Sequence, residues 1–392
     1  MEKNNLKVNK KILRIVFCGG GTGGHTFPLI AVARALKELS QENNFKLDLR
    51  YFGPDLFSIE EFFKEGVLSQ KIHSGKFNRF FDLKNFLSPF KIFLGIIECL
   101  WHLFWFMPDV CFSKGGYGSI PVVFVCWLYR IPIICHESDS VPGLATKITS
   151  KFAKKIAISF QKTKEYFKEK EFILTGNPTR FEVSDLNQLS KEVLKKQAQK
   201  EFGLKEGKKL LVVIGGSQGA QALNSFLLDI LGELLPDIEI IHQTGKNNLE
   251  EIKKEAEIML EDFLEEERKL YHLFGFLDER KYYLALSGAD LVLSRAGSGA
   301  IFDLAICRTP SILVPFPYAA GNHQKYNAYE YAKYGSAIVI EQENLLPHLV
   351  VNQIKKIIFD ENKLKEMQQG AQKFATPEAG KKLAEIIIKL SD

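Results

Sequence analysis

Short apolar runs alternate with longer amphipathic segments along almost the whole chain. In the first half the runs fall at residues 12–18, 46–52, 110–113, 132–135, 155–158 and 172–175. In the second half they fall at 209–214, 238–242, 271–274, 291–293, 311–314 and 337–340. They lack the in-and-out alternation of a half-solvated strand, which predicts strands covered on both faces. The intervening segments supply the covering helices. This is the pattern of an α/β protein with parallel, doubly wound sheets.

The pattern occurs twice. "LRIVFCGGGTGG" near the start is echoed by "LLVVIGGSQGAQ" at 210–221, each a strand, a glycine turn and a helix start. Two Rossmann-like domains are therefore predicted, at 1–177 and 178–376, with the join at the Gly-Asn-Pro of "TGNPTR". A charged helix at 189–202 follows the join. The segment 381–390 is amphipathic, and pattern alone leaves open which domain it packs on.

Glycine-rich strand-to-helix turns bring bare backbone N–H groups and a helix N-terminus to a ligand, an arrangement that favours phosphate. Gly19, Gly21 and Gly24 have the spacing of a dinucleotide fingerprint, but no acid closes the second strand, which ends Phe52-Gly53-Pro54. Tight packing alone would explain one such loop; two in matching positions point to ligand binding. His25 at the first helix start is either a polar cap or a group that takes a proton near neutral pH. In the second half, "SRAGSGAIFDLA" and "VPFPYAAGNHQKYNA" each follow a strand, where open sheets place their ligands. The chain has no D-x-D pair, so a carboxylate-held metal on a nucleotide diphosphate is not expected. Leaving-group charge would be met by N–H groups, helix dipoles and Arg180.

The chain has 392 residues, 46% of them apolar, enough for two full cores. A formal charge of +5 suits anionic small molecules or an acidic membrane surface, and does not mark a dedicated nucleic-acid binder. The six cysteines are scattered, mostly within apolar runs, as buried thiols of a reducing compartment would be. The polar start lacks the apolar core of a signal peptide, so a cytoplasmic location is expected.

One stretch departs from this picture. Of the 31 residues at 77–107, ten are aromatic, against 12% for the whole chain. Pro89, Lys91, Glu98 and His102 interrupt it, so it is not expected to span a bilayer. It is either a core helix, with Trp101 and Trp105 inside, or a helix lying in the membrane interface. Lys76, Arg79, Lys84, Lys91 and Arg130 surround it. A contact with anionic lipid through Phe86, Phe90, Phe93 and Trp127 is expected.

The chain resembles the MurG family of peripheral membrane glycosyltransferases. "GGTGGH", "KGGYGSIP", "HESDSVPGLATK", "GNPTR", "GGSQGA", "HQTGK", "SRAGSGA" and "VPFPYAAGNHQKYNA" occur in that family's order over nearly the whole chain. The resemblance implies a GT-B fold, two Rossmann-like domains facing across a cleft. The N-terminal domain would bind the acceptor and the membrane, with a C-terminal helix at about 377–392 crossing back to it. The C-terminal domain would bind UDP-GlcNAc. It further implies inverting, metal-independent transfer of GlcNAc to the 4-hydroxyl of the lipid-linked N-acetylmuramoyl-pentapeptide (lipid I to lipid II) in peptidoglycan synthesis. His25 would be the general base and Glu137 the second candidate. Thr22, Gly23, Gly24, Asp139, Arg180, Ser217, Leu277, Ser298, Gly299, Ala300, Asp303 and Gln324 would bind the donor. Gly115, Gly116, Tyr117 and His136 would line the acceptor side. The implied partners are UDP-GlcNAc, lipid I, anionic lipids on the cytoplasmic face of the cell membrane and other cell-wall synthesis proteins. No cofactor, metal or nucleic acid is expected.

Four positions depart from the family pattern. Ser138 and Asp139 stand where Gln and Asn are usual, Asp303 is one methylene shorter than the usual glutamate, and Gly118 replaces a valine and would loosen its loop. The competing readings are a UDP-GlcNAc 2-epimerase, which leaves the aromatic stretch without a task, and an NAD-dependent dehydrogenase, which leaves the second glycine loop without one. A binding protein without turnover is a third, favoured by no residue.

Overall fold

The computed structural model describes residues 12–56, 59–75, 84–168, 170–181, 190–216 and 219–391, with the backbone alone at 84–87. The chain divides into two compact units, Met1–Arg180 with Pro377–Asp392, and Phe181–Thr376. The division falls after Arg180, so residues 178–180 go with the first unit. There the Arg180 carbonyl accepts from Arg34 Nη1 at 3.0 Å, and its guanidinium lies 3.8 Å from the Phe27 ring centroid.

Among the described residues the first unit holds a seven-stranded sheet, ordered β3-β2-β1-β4-β5-β6-β7. Its strands are β1 (Ile12–Cys18), β2 (Lys46–Gly53), β3 (Val67–Lys71), β4 (Val110–Ser113), β5 (Ile133–Glu137), β6 (Lys155–Ile158) and β7 (Phe172–Leu174). The pairs are parallel, with Ile15 opposite Val110 and Cys18 opposite Ser113. β3 was not predicted. Its sequence, VLSQK, buries only Val67, because an edge strand pairs on one side and needs no continuous apolar run.

Adjacent residues of β1 point to opposite faces, and both faces are covered. Leu13, Ile15 and Phe17 join one core with the helix Gly23–Asn43 and the C-terminal helix Ala379–Ser391. Leu383, Ile387 and Ile388 of that last helix are fully buried in this core. Each such side chain contributes about 1.5–3 kcal/mol, which ties the chain end to the first unit. Val16 and Cys18 face the other core, with Cys99, Leu103 and Phe106 of the helix Lys84–Phe106 and Val122, Val125 and Cys126 of the helix Ser119–Leu128. All six cysteines are buried free thiols.

Among the described residues the second unit holds a six-stranded parallel sheet, ordered β10-β9-β8-β11-β12-β13. Its strands are β8 (Lys209–Ile214), β9 (Ile238–Gln243), β10 (Tyr271–Phe274), β11 (Leu291–Arg295), β12 (Ser311–Val314) and β13 (Ala337–Val339). Leu211 and Val213 pack with the helices Gln221–Leu234 and Pro347–Ile358. In each unit the chain reverses its direction of winding between two central strands, β1 and β4 or β8 and β11. The loops leaving those strands diverge and leave a crevice at their carboxyl ends.

Candidate active site

The first crevice is built by the loops after β1 and β4. Gly19–Thr22 leads into the helix Gly23–Asn43, whose N-cap Thr22 (φ −90°, ψ 158°) offers no side-chain cap. His25 sits in its first turn. A Cβ at Gly20 would stand 2.7 Å from His25 Cδ2; one at Gly116 would stand 2.8 Å from the Gly20 nitrogen and 3.2 Å from His25 Cε1. These two glycines are bare because the imidazole lies against them. Gly21 makes room for the Asp55 carbonyl, 2.3 Å from its Cβ position. Gly24, with nothing within 4 Å of its Cβ position, leaves the open space that a ligand needs.

Gly115 and Gly116 have φ of +76° and +78°, which strains any other residue. They turn the chain sharply after β4. Gly118 does not loosen this loop. Its Cβ position lies 2.3 Å from the Gly19 carbonyl oxygen and 2.3 Å from Pro54 Cδ, so a valine here would displace both. The glycine lets the two crevice loops touch.

Charge at this crevice centres on Lys114, a residue the sequence reading did not single out. Its side chain is 2% exposed. Burial lowers its pKa, while Glu137 and Asp139 favour its charged form. The sequence signal was a lysine between a buried strand and two glycines, with no path to solvent. Burial, and then Lys114, push the His25 pKa down to about 4; Asp139 and the Lys114 carbonyl act the other way. His25 is therefore a neutral imidazole at pH 7, and its Nδ1 is buried with no hydrogen-bond partner.

Glu137, at the end of β5, is buried, and its pKa is raised by burial and by Asp139. Its Oε1 accepts the Asp139 N–H at 3.0 Å and its Oε2 the Gly143 N–H at 3.2 Å. The carboxylate thus holds the loop after β5 and positions Asp139. The expectation that His136 lines the acceptor side is not met. It is fully buried, stacked on Phe112, with Nε2 3.1 Å from the Gly176 carbonyl and 3.2 Å from Ser159 Oγ. As the fourth residue of a strand buried on both faces, it points into the core.

Buried neutral histidines make stability depend on acid. His25 has its pKa lowered to about 4, His242 to about 3, and His136 is well below its ordinary value, each chiefly by burial. Unfolded histidines take up protons near pH 6.5, so between pH 6.5 and 4 the unfolded chain binds more protons and stability falls as pH falls. At pH 5 the expected loss is about 2 kcal/mol per histidine. Denaturant unfolding at pH 7.5 and pH 5 should show it; the raised pKa of Glu137 offsets a small part.

The second crevice follows β8 and β11. Gly216 (φ +88°), Gly297 and Gly299 have nothing within 4 Å of their Cβ positions, so three glycines leave open space here. Gly297 is the N-cap of the helix Ser298–Ile306 and offers no side-chain cap, which leaves first-turn N–H groups and the positive end of the helix for an anion. Asn327, buried on the helix His323–Ala332, donates to the Ala296 carbonyl at 3.4 Å and steadies this turn. Gln324 Oε1 accepts the Phe316 N–H at 3.0 Å, which orients its carboxamide. Asp303 is 3% exposed on the inner side of the helix. Leu277 is 1% exposed, so its side chain is core and only its backbone is left to flank a base. Ser217 lies outside the described residues.

The aromatic stretch forms the helix Lys84–Phe106. Its segment Ser88–Phe106 is long and apolar enough to cross a membrane, yet Cys99, Leu103 and Phe106 are sealed in the core of the first unit. The Glu98 carboxylate is met by His73, through its N–H at 2.8 Å and its Nδ1 at 2.6 Å. The helix therefore lies on the unit. Its outer face carries Phe90, Phe93, Ile97, Trp101, Phe104 and Trp105, with Trp127 and Leu128 exposed on the next helix. Trp101 is 65% exposed and Trp105 68%, which overturns their placement in a core. Lys91 and Arg130 are exposed; Lys76, Arg79 and the side chains of Lys84 and Phe86 lie outside the described residues.

Residues 15–158 match the glycosyltransferase family 28 N-terminal domain, and residues 210–383 its C-terminal domain. Over 349 residues the chain is 36% identical to the UDP-N-acetylglucosamine–N-acetylmuramyl-(pentapeptide) pyrophosphoryl-undecaprenol N-acetylglucosamine transferase of Clostridium perfringens (strain SM101), covering 88% of this chain and 90% of that one. The Clostridium kluyveri enzyme of the same name is 34% identical over 346 residues, covering 88% and 91%. Among solved structures, Acinetobacter baumannii MurG superposes with a TM-score of 0.70 at 24% identity, over 96% of this chain and 99% of that one. The UDP-GlcNAc 2-epimerase of Neisseria meningitidis has a TM-score of 0.68 at 12% identity, over 96% and 100%, so the fold by itself does not separate transferase from isomerase. Sequence identity separates them: the chain has the two-domain GT-B fold and belongs to the MurG family of UDP-N-acetylglucosamine-dependent N-acetylglucosamine transferases.

Proposed function

We propose that this chain transfers N-acetylglucosamine from UDP-GlcNAc to the 4-hydroxyl of N-acetylmuramoyl-pentapeptide carried on undecaprenyl pyrophosphate, converting lipid I to lipid II in peptidoglycan synthesis. The observation that carries the chemical reading is the neutral His25, whose Nδ1 is buried without a partner among the described residues, in the same first helix turn as Gly24, whose Cβ position has nothing within 4 Å. A neutral imidazole can take the proton of an attacking hydroxyl. The acceptor oxygen forms its bond to C1 of the sugar as the bond from C1 to the diphosphate breaks. The electron pair leaves with UDP, the proton goes to His25, and the configuration at C1 inverts. The uncapped first turn of the helix Ser298–Ile306 is assigned the growing charge of the diphosphate, with Ser298, Gly299 and Ala300 as its contacts. Thr22, Gly23, Gly24, Asp139, Arg180, Asp303, Gln324 and Ser217 are assigned to the donor, and Gly115, Gly116 and Tyr117 to the acceptor. Glu137 acts as a positioning residue through the loop that it anchors.

Purified protein with labelled UDP-GlcNAc and a lipid I analogue, in EDTA, should put label on the analogue and release UDP. Release of 2-epimerised sugar or free UDP-GlcNAc without transfer would overturn the reading.

The exposed aromatic face with its basic neighbours supports a peripheral seat on the anionic, cytoplasmic side of the cell membrane, where lipid I would be met. Trp101→Ser combined with Trp105→Ser should abolish most co-flotation with anionic vesicles and leave soluble UDP binding unchanged. Retention of full flotation would refute this seat.

A further inference from the structure

Away from both crevices, the second unit contains a cavity of about 220 Å³. One wall is the start of the helix Lys191–Phe202, another the helix Glu279–Gly288, and a third the helix Glu361–Phe374. The turn after the helix Ser298–Ile306 closes it. That helix opens at the glycine crevice and ends here, about 13 Å away at 1.5 Å per residue, so the cavity is a separate place.

Its chemistry is one-sided. Lys191, Arg308 and Lys365 line it, and among the described residues no lining side chain is acidic. The Lys191 ammonium nitrogen is buried and has no hydrogen-bond partner among the described residues. Lys191 occupies the first turn of its helix, where the dipole opposes a cation. Two carboxylates act on it, Asp290 more strongly than Glu192, and Asp290 is already held by Lys195 at 2.9 Å through both oxygens and accepts the Leu210 N–H at 2.8 Å. A buried cation without a hydrogen-bond acceptor costs several kcal/mol unless a counter-charge arrives. Burial has driven the Lys191 pKa down to about 8, a value that an anion alongside would restore. Gln368 and Gln372, one turn apart, add amide donors at the mouth.

We propose that this cavity is a second ligand site, which takes a small phosphorylated anion between Lys191, Ser287, Arg308 and Lys365. Arg308 lines its rim, and Tyr283 supplies a flat wall for whatever carries the phosphate.

Titration calorimetry of the full chain with inorganic pyrophosphate, at constant ionic strength, tests it. The wild-type protein should bind, and Lys191→Gln should weaken that binding by about tenfold or more, the loss expected for one charge-assisted contact. The exposed-rim variant Lys365→Glu should weaken it in the same direction without risk to folding. No binding by the wild type, or equal binding by all three proteins, would overturn the proposal. Binding at the glycine crevice alone would appear as equal binding, because neither substitution touches that loop.

Discussion

Conversion of His25 to alanine is expected to lower transfer turnover by about 10²–10⁴-fold and to leave UDP affinity within about twofold. The imidazole is neutral at pH 7, its Nδ1 is unpartnered, and it belongs to the helix turn whose Gly24 leaves the crevice open. A group that only takes a proton acts in the transition state, so kcat should fall and KM should hold. There is a structural cost to separate from this, because Gly20 and Gly116 are shaped around the ring and alanine leaves a gap there. His25→Gln fills much of that gap but takes no proton. If His25→Gln restored activity, the ring would be a packing element and the base would lie elsewhere.

Removal of the Lys114 charge is the second large effect. Lys114→Met should cost about 3–5 kcal/mol of stability, because the buried Glu137 and the neighbouring Asp139 lose the cation that faces them. It should also change the pH–rate profile. Lys114 adds to burial in holding the His25 pKa near 4, so without it the value rises part of the way back and protonation removes the base at a higher pH. The acidic limb of the profile should therefore move upward. Lys114→Arg keeps the charge and should move the limb less. An unshifted limb in Lys114→Met would mean that the lysine merely supports the fold and does not tune His25.

The strands were largely legible because a strand buried on both faces must be apolar at every position, and β1, β4, β6, β8, β10 and β12 coincide with their predicted runs. β3 was not legible, since an edge strand is under no such demand. β5 extends two residues beyond its predicted end, because the polar His136 and Glu137 are still paired in the sheet. At the site, motif position along the chain singles out His25, Gly116 and Ser298 as candidates, yet it does not tell a side chain that faces the crevice from one that faces the core. His136 and Leu277 turned inward, and Trp101 and Trp105 turned outward. The glycines were read as room for a ligand, whereas Gly20 and Gly116 make room for an imidazole contributed by the chain itself.

The order of strands, loops and helices, the family and the candidate residues were determined by the sequence, because periodicity and motif spacing are local properties. Only tertiary structure decided which groups meet. It put Lys114 beside His25, Glu137 and Asp139, drew the C-terminal helix onto the first unit through Leu383, Ile387 and Ile388, and left Lys191 buried without an acceptor. Each of these depends on burial and on the field of neighbours distant in sequence. Those quantities exist only once the chain has closed around them.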